Sequence, residues 1–300
     1  MRVFVAGGSG TIGVPLVRAL VASGHEVVAM TRSPEKQALL RALGAIPTVA
    51  DALDSAGLRT AVAAARPTHV IHQLTALPKD GARGTKDLEA TNRLRIDGTR
   101  NLIEASVNAG ARRFIVGSFA LLSPRPGSQL HDPAAEAVRS METQVMEATT
   151  KGAIEGVVLR YGLFYGIEAP STRKLIEMVR KRRLPIVRSD AGQLPVIHLD
   201  DAVAATVAAL DRARAGSAYD IVDDQAVSMS EIAKALAEYA GAPQPFRVPA
   251  WLPRLVAPYM ARLISMQMPL SNAKAKAELG WKPRYPTMRD GLSEMFSKAA

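Results

Sequence analysis

The chain has 300 residues, of which 48% are apolar and 22% charged, and 38 Lys and Arg against 28 Asp and Glu give a net charge of +10. That composition excludes an intrinsically disordered chain, and the length allows one large core or a large domain with a smaller lobe. No cysteine occurs, which excludes disulfides, thiolate metal sites and a Cys nucleophile and fits the reducing cytoplasm, the expected location. No apolar run reaches the roughly 20 residues needed to span a bilayer, and the opening MRVFVAGG carries no signal-peptide pattern, so no membrane partner is expected. The positive balance favours anionic partners. Its densest run, Arg180–Arg183 with Arg173, Lys174 and Arg188 nearby, lacks interleaved aromatics. It suits a phosphate-bearing small molecule or a solvated surface, and no nucleic-acid partner is expected.

Short β-branched runs alternate with helical patterns through the first half. RVFVA, HEVVAM, IPTVA, THVIHQ, RRFIVGS and EGVVLRY read as strands that are apolar almost throughout, as strands covered on both faces are. Helical stretches fall at about 11–23, 34–43, 54–65, 86–109 and 133–151. This rhythm predicts an α/β fold: a Rossmann-type doubly wound parallel sheet with helices on both faces. After Tyr161 a basic helix at about 171–183 leads to VIHLDD, where Asp200 or Asp201 is expected to cap the next helix. SAYDIVDD is a further strand, and Ser228 with Glu231 forms a capping box. The expected organisation is a body over 1–165 and mainly a substrate lobe over 166–300, with segments around 190–225 returning to the body.

The stretch VAGGSGTIG, residues 5–13, stands between the first strand and the first helix. Gly7 permits a tight turn, Gly10 a close approach of backbone to a pyrophosphate, and Gly13 the packing of helix on strand. The helix start then offers free N–H groups and the positive end of its dipole to the anion. At the end of the second strand an NAD site wants a carboxylate for the ribose hydroxyls. Here the chain reads Thr31, Arg32, Ser33 and then Lys36, groups that suit a 2′-phosphate. NADP(H) is therefore expected ahead of NAD(H). The same residues also read as a helix start, with Ser33 as cap and Pro34 at the first position.

Together with DALD, VIHQLTA, GTRNLIEAS, LRYGLFYG, VIHLDDAVAATVAAL and SNAKAKAELGWKPRYP, the loop resembles the extended and atypical short-chain dehydrogenase/reductase superfamily, nearly end to end. The resemblance implies cofactor contacts from Gly7, Gly10, Thr11, Ile12 and Gly13, from Thr31, Arg32, Ser33 and Lys36, from Asp51 and Ala52, and from Leu74 and Thr75. It also implies a Tyr and a Lys four apart on a helix, with a Ser or Thr after the fifth strand, to carry the substrate proton. The chain departs from that pattern. Its first tyrosine is Tyr161. Alignment through "RS" puts the pair on Ala137 and Met141, Phe119 stands in the hydroxyl position beside Ser118, and Arg95 takes the place of an asparagine.

Four side chains are candidates for the displaced proton chemistry. Tyr161 ends the sixth strand, Tyr165 lies four residues on, Ser118 ends the fifth strand, and His131 precedes the next helix. Each has a structural reading too: a tyrosine with a bonded hydroxyl at the core edge, or a His131-Asp132 pair capping the helix. Glu142, His72 and His198 are weaker candidates. No His/Asp/Glu spacing resembles a metal site. The Met- and Trp-rich tail suits an apolar substrate or a homodimer contact. The reading is an NADP(H)-dependent oxidoreductase or epimerase-like enzyme acting on a small molecule, such as a nucleotide-sugar or another carbonyl or hydroxyl compound. The alternatives are a non-catalytic NADP(H) sensor and a lyase or isomerase without net redox.

Overall fold

Six apolar runs of the first 161 residues become parallel strands: β1 (Arg2–Ala6), β2 (Glu26–Thr31), β3 (Ile46–Val49), β4 (His69–His72), β5 (Arg113–Phe119) and β6 (Glu155–Tyr161). The computed structural model describes residues 1–78, 84–124, 132–187, 192–256, 261–262, 265–268 and 270–297. Arg188 and the candidate His131 lie outside the described residues. Strands β7 (Leu163–Tyr165), β8 (Ile186–Val187), β9 (Val196–His198), β10 (Ser217–Ile221) and β11 (Arg247–Val248) follow. The main sheet has seven strands in the order β10-β6-β5-β4-β1-β2-β3, all parallel. The order reverses direction between β1 and β4, and such a switch point opens a crevice at the carboxyl ends of the strands.

The helices of the first half are α1 (Gly13–Ala22), α2 (Gln37–Ala42), α3 (Ser55–Ala65), α4 (Glu89–Arg93), α5 (Thr99–Asn108) and α6 (Pro133–Thr150). Those of the second half are α7 (Pro170–Arg180), α8 (Leu199–Arg212), α9 (Met229–Tyr239), α10 (Trp251–Val256), α11 (Ala273–Leu279) and α12 (Met288–Ser297). Side chains that alternate along β1 divide between two cores. Val3 and Val5 join Leu16 and Leu20 of α1, Ala205 and Ala209 of α8 and Leu279 of α11. Phe4 and Ala6 join Leu58 of α3, Leu102 of α5 and Met141 of α6. A third cluster holds Ile176, Leu236 and Leu292 from α7, α9 and α12. Two short parallel ladders, β7 with β9 and β8 with β11, complete the fold.

Three local features differ from the sequence expectations. The long helix at 86–109 is broken by a π-turn over Leu94–Gly98 between α4 and α5. The N-cap of α8 is His198, whose Nδ1 accepts the Asp200 N–H at 3.2 Å. Asp201 is instead held by the tail: its carboxylate accepts the backbone N–H groups of Arg284 at 2.7 Å and Tyr285 at 3.0 Å. A cap has to leave helical dihedrals, and His198 is extended at ψ 139° while the two aspartates lie inside the first turn. Two further caps are as expected. Ser228 and Glu231 form the capping box on α9, and Asp132 accepts the N–H groups of Ala134 and Ala135 at the start of α6.

Two buried ionisable groups secure the sheet to later segments. Arg113, at the start of β5, donates to the carbonyls of Ala209 and Leu210 at 3.1 and 2.7 Å and to the Glu155 carboxylate at 2.7 Å. It thereby satisfies the carboxyl end of α8 from beneath the sheet. Asp223, just past β10, accepts the Tyr165 hydroxyl at 2.8 Å, and that hydroxyl also lies 3.3 Å from the Thr287 carbonyl. The second Asp223 oxygen, Oδ1, is buried without a hydrogen-bond partner among the described residues.

Replacing Arg113 by Met is expected to cost about 3 kcal/mol in denaturant unfolding, because two helix carbonyls lose their donor and Glu155 keeps only Arg112. Asp223 yields a pH signature. Burial pushes its carboxyl up to about 8, with the Asp201 and Asp224 charges adding and the Tyr165 and His198 hydrogen bonds opposing. The folded state thus holds the proton above the ordinary carboxylate value near 4. Stability is drained as pH rises from about 4 to about 8 and levels off beyond. Asp223→Asn should unfold close to the parent at pH 4.5 and be more stable by about 1–3 kcal/mol at pH 8.5; thermal unfolding across that range checks the sign.

Candidate functional site

The loops leaving β1, β2, β3 and β4 emerge side by side, because these four strands are neighbours in the order β4-β1-β2-β3. In the first loop Gly7 has φ +90°, a conformation that side chains rarely adopt. A Cβ at Gly7 would lie 2.8 Å from the Gln73 carbonyl oxygen, and one at Gly13 only 2.1 Å from the Gly7 oxygen. The turn is closed by the Gly10 N–H on the Gly7 oxygen at 3.0 Å, and the Gly8 N–H reaches Met30 across to β2 at 3.1 Å. Ile12 sits at the N-cap of α1 and supplies no side-chain cap. Thr11 is exposed beside it. Val14 already donates to the Gly10 carbonyl at 3.1 Å and Pro15 has no N–H, so within the first helical turn the donor left for a phosphate is that of Gly13.

At the end of β2 the buried Thr31 hydroxyl lies 2.9 Å from Ser9 Oγ and accepts the Ser33 N–H at 3.2 Å. This pins the turn from which Arg32 and Lys36 project. Both are exposed, and among the described residues neither is engaged in an ion pair. Ser33 occupies the cap position before Pro34 but makes no side-chain cap bond. After β3, Asp51 accepts the Leu53 N–H at 2.9 Å, and Asn101 of α5 donates to the Ala52 carbonyl at 2.9 Å. After β4, His72 orders the backbone. Its Nδ1 accepts the Leu74 N–H at 3.1 Å, so Nε2 carries the proton and faces Thr99 Oγ1 at 3.0 Å. Burial, helped by the Arg95 charge, pushes this imidazole down to about 4 and keeps it neutral. Leu74 is half-buried and Thr75 exposed at the crevice edge.

The hydroxyl candidates all point inward. Tyr161 lies 2.7 Å from Thr206 Oγ1, which donates on to the Ala202 carbonyl, so the phenol proton is directed at Thr206. Gln73 donates to the same phenol at 3.0 Å, in space left by Gly117, where a Cβ would lie 2.2 Å from Gln73 Oε1. Burial pushes the Tyr161 hydroxyl up to about 12. Tyr165 donates to Asp223 and is likewise pushed up, chiefly by burial and then by the Asp223 charge. Both shifts run opposite to that of a tyrosine tuned for proton transfer near neutral pH. Ser118 donates to Glu142 Oε1 at 2.6 Å.

That carboxylate is the centre of a buried network. Glu142 accepts Ser123 Oγ at 2.9 Å and the Arg160 guanidinium at two positions, the shortest contact being 2.6 Å. The signal for it in the sequence is one charge inside each of two otherwise apolar patterns, Arg160 in EGVVLRY and Glu142 on the covered face of α6. The positions aligned with the expected Tyr and Lys pair, and those one turn away from them, are all buried. Met141 packs beneath the sheet with Phe114 and Val158, and Ala137 is fully buried. Ala134 and Val138, one turn apart, instead join Leu88 and Leu122, with Phe119 and Met266 packed against them. A cavity of about 730 Å³ between α1 and α8 shares no residue with these loops. Among the described residues, no group of His, Asp and Glu is placed to hold a metal ion, and no helix is long and apolar enough to cross a membrane.

Comparison with known proteins gives the family. Residues 3–223 match the NAD dependent epimerase/dehydratase family. A 3-diazoavenalumate denitrifying reductase of Streptomyces sp is 36% identical across 97% of this chain and 99% of its own length. A 2-alkyl-3-oxoalkanoate reductase of Stenotrophomonas maltophilia is 27% identical across 81% of this chain and 77% of its own. Among solved structures, a Thermus thermophilus UDP-glucose 4-epimerase in complex with NAD superimposes with a TM-score of 0.79 at 24% identity, covering 99% of this chain and 98% of that one. The chain belongs to the NAD dependent epimerase/dehydratase family and is an NAD(P)-dependent oxidoreductase or epimerase-like enzyme.

Proposed function

We propose that the protein is an NADP(H)-dependent reductase of a small, largely apolar substrate. The observation that carries the reading is the β2 end: Arg32 and Lys36 stand exposed beside the Thr31–Ser33 turn, and the first carboxylate after the strand is Glu35, beyond that turn. The Gly7–Gly13 turn fits a pyrophosphate, since a side chain at Gly13 would collide with the Gly7 carbonyl. Thr11 and Ile12 would flank it, Asp51 and Ala52 the adenine, and Leu74 and Thr75 the path towards the nicotinamide. When bound, the cofactor supplies a hydride at its nicotinamide ring. The body would hold the cofactor, and the segments after residue 166 would border the substrate.

The protein's part is to hold and shield the reactants. Leu77 and Ile167 are exposed apolar side chains in the loops after β4 and β7, and would suit an apolar substrate. The relatives named as reductases support the same class of chemistry. Because Tyr161, Tyr165 and Ser118 donate inward, the proton is assigned to water. A second reading, an epimerase-like reaction on an anionic substrate such as a nucleotide-sugar, is favoured by one feature, the basic face around Arg173, Lys174 and Arg180 on α7.

Arg32→Ala should weaken NADPH binding about tenfold or more and leave NADH nearly unchanged in fluorescence titration; tighter binding of NADH by the parent protein overturns the NADPH assignment. Gly13→Ala should weaken both cofactors together. For the proton, Tyr161→Phe and His131→Ala are expected to keep turnover within about threefold. A loss beyond about 100-fold in either would assign the proton to that side chain.

A further inference from the structure

The two most exposed large apolar side chains among the described residues are Leu255 at 74% and Trp251 at 61%. They stand four apart on α10 and so share one face. Phe246, just before β11, is exposed as well. Apolar groups of this size gain by leaving water for an apolar medium, and Trp suits the place where such a medium meets water. A basic turn lies beside them. Lys181, Arg182 and Arg183 follow α7, all exposed. The Arg182 N–H closes on the Val179 carbonyl at 2.9 Å and the Arg183 N–H on that of Met178 at 2.7 Å. Arg182 takes φ +53°, the conformation that glycine usually supplies at a helix end.

Only Leu184 and Pro185 separate Arg183 from β8. That strand is laddered to β11 through Ile186 and Arg247, and the Ile186 N–H donates to the Phe246 carbonyl at 2.9 Å. Pro249 and Ala250 alone lead from β11 to Trp251. This route keeps Arg183 and Trp251 within about 30 Å of each other, the scale of one contact face. Lys181 pairs with Glu177, but Arg182, Arg183 and Arg247 engage in no ion pair among the described residues.

We propose that this face docks on a bilayer surface rich in anionic phospholipids. Phe246, Trp251 and Leu255 enter the boundary between headgroups and acyl chains, and Arg182, Arg183 and Arg247 meet the lipid phosphates. Three apolar side chains are too few to anchor a protein, and exposed cations alone give a weak, screened attraction; stable docking takes the two together. No spanning segment is needed. An acidic protein would satisfy the cations and leave Trp251 and Leu255 in water, and a second copy would bring like charges together.

The test floats the full-length protein with extruded vesicles. Vesicles of phosphatidylcholine with about 30 mol% phosphatidylglycerol should carry it at least about tenfold better than phosphatidylcholine alone. Trp251 reports the contact directly, because Trp281 is 4% exposed and donates to the Asp201 carbonyl. Its emission should shift to the blue on the anionic vesicles and be quenched by brominated acyl chains. Trp251→Ala with Leu255→Ala should weaken partition about tenfold, and Arg182→Gly with Arg183→Gln about tenfold or more. Arg41→Gln with Arg59→Gln, the same loss of charge on α2 and α3, should stay within about twofold of the parent. Unchanged thermal midpoints confirm that each variant folds. Absence of partition, equal partition on both vesicles, partition with unchanged emission, or an equal loss in the Arg41 and Arg59 variant overturns the proposal. A dimer in ultracentrifugation that Trp251→Ala dissociates, without vesicle binding, gives the face to a second copy and overturns it too.

Discussion

The start of α1 approaches the end of β1 so closely that no side chain fits between them: the Gly7 carbonyl oxygen lies 2.1 Å from where a Gly13 Cβ would stand. Much of the crevice is organised around that contact. It sets the angle at which the helix leaves the strand, and so where the free Gly13 N–H points. It also brings the Gly7 backbone against Gln73 after β4, so the loops on either side of the switch point share one wall. Gln73 then passes the constraint on through Tyr161 and Thr206 to α8. A phosphate cradle and a chain of core hydrogen bonds are thus parts of one packing solution.

The fold was readable because its signal is redundant. Strands such as FIVGS and GVVL are apolar on both faces, and only a sheet covered on both sides accommodates several such runs in alternation with helices. The glycine loop was readable because its spacing reports backbone clearance, a property of glycine alone. The Ser228–Glu231 cap was readable because both of its partners are local. The π-turn was not, since one surplus residue in a helix leaves the apolar pattern nearly intact. His198 lost to Asp200 and Asp201 in the reading because cap preference is a tendency of residue types, whereas the choice was made by where β9 stops.

The proton-handling residues were harder for a different reason. Sequence shows that Tyr161, Tyr165 and Ser118 sit near the carboxyl edge, but not which way their hydroxyls turn. That direction depends on acceptors far along the chain: Thr206 for Tyr161, Asp223 for Tyr165 and Glu142 for Ser118. The phase of α6 is similar. Ala134 with Val138 and Ala137 with Met141 have the same spacing of four, and only packing decides which cluster takes Met141 and which takes Ala134 and Val138. His131, at the entry to the same helix, is placed on the chain by sequence alone.

The widened turn at Leu94–Gly98 has a consequence for how this chain can vary. A five-residue turn leaves a carbonyl without its usual helical partner, and the side chain of Gln144 on α6 donates to Ile96 at 3.1 Å. The surplus residue is thus bound into a contact between two helices. Deleting it would restore an ordinary helix but rotate everything upstream by about 100°, carrying Thr91 away from the Ala76 N–H that it accepts at 3.0 Å. The length of this segment is consequently inherited as a unit with the loop after β4. Single-residue insertions or deletions here should survive in descendants only when that loop changes with them.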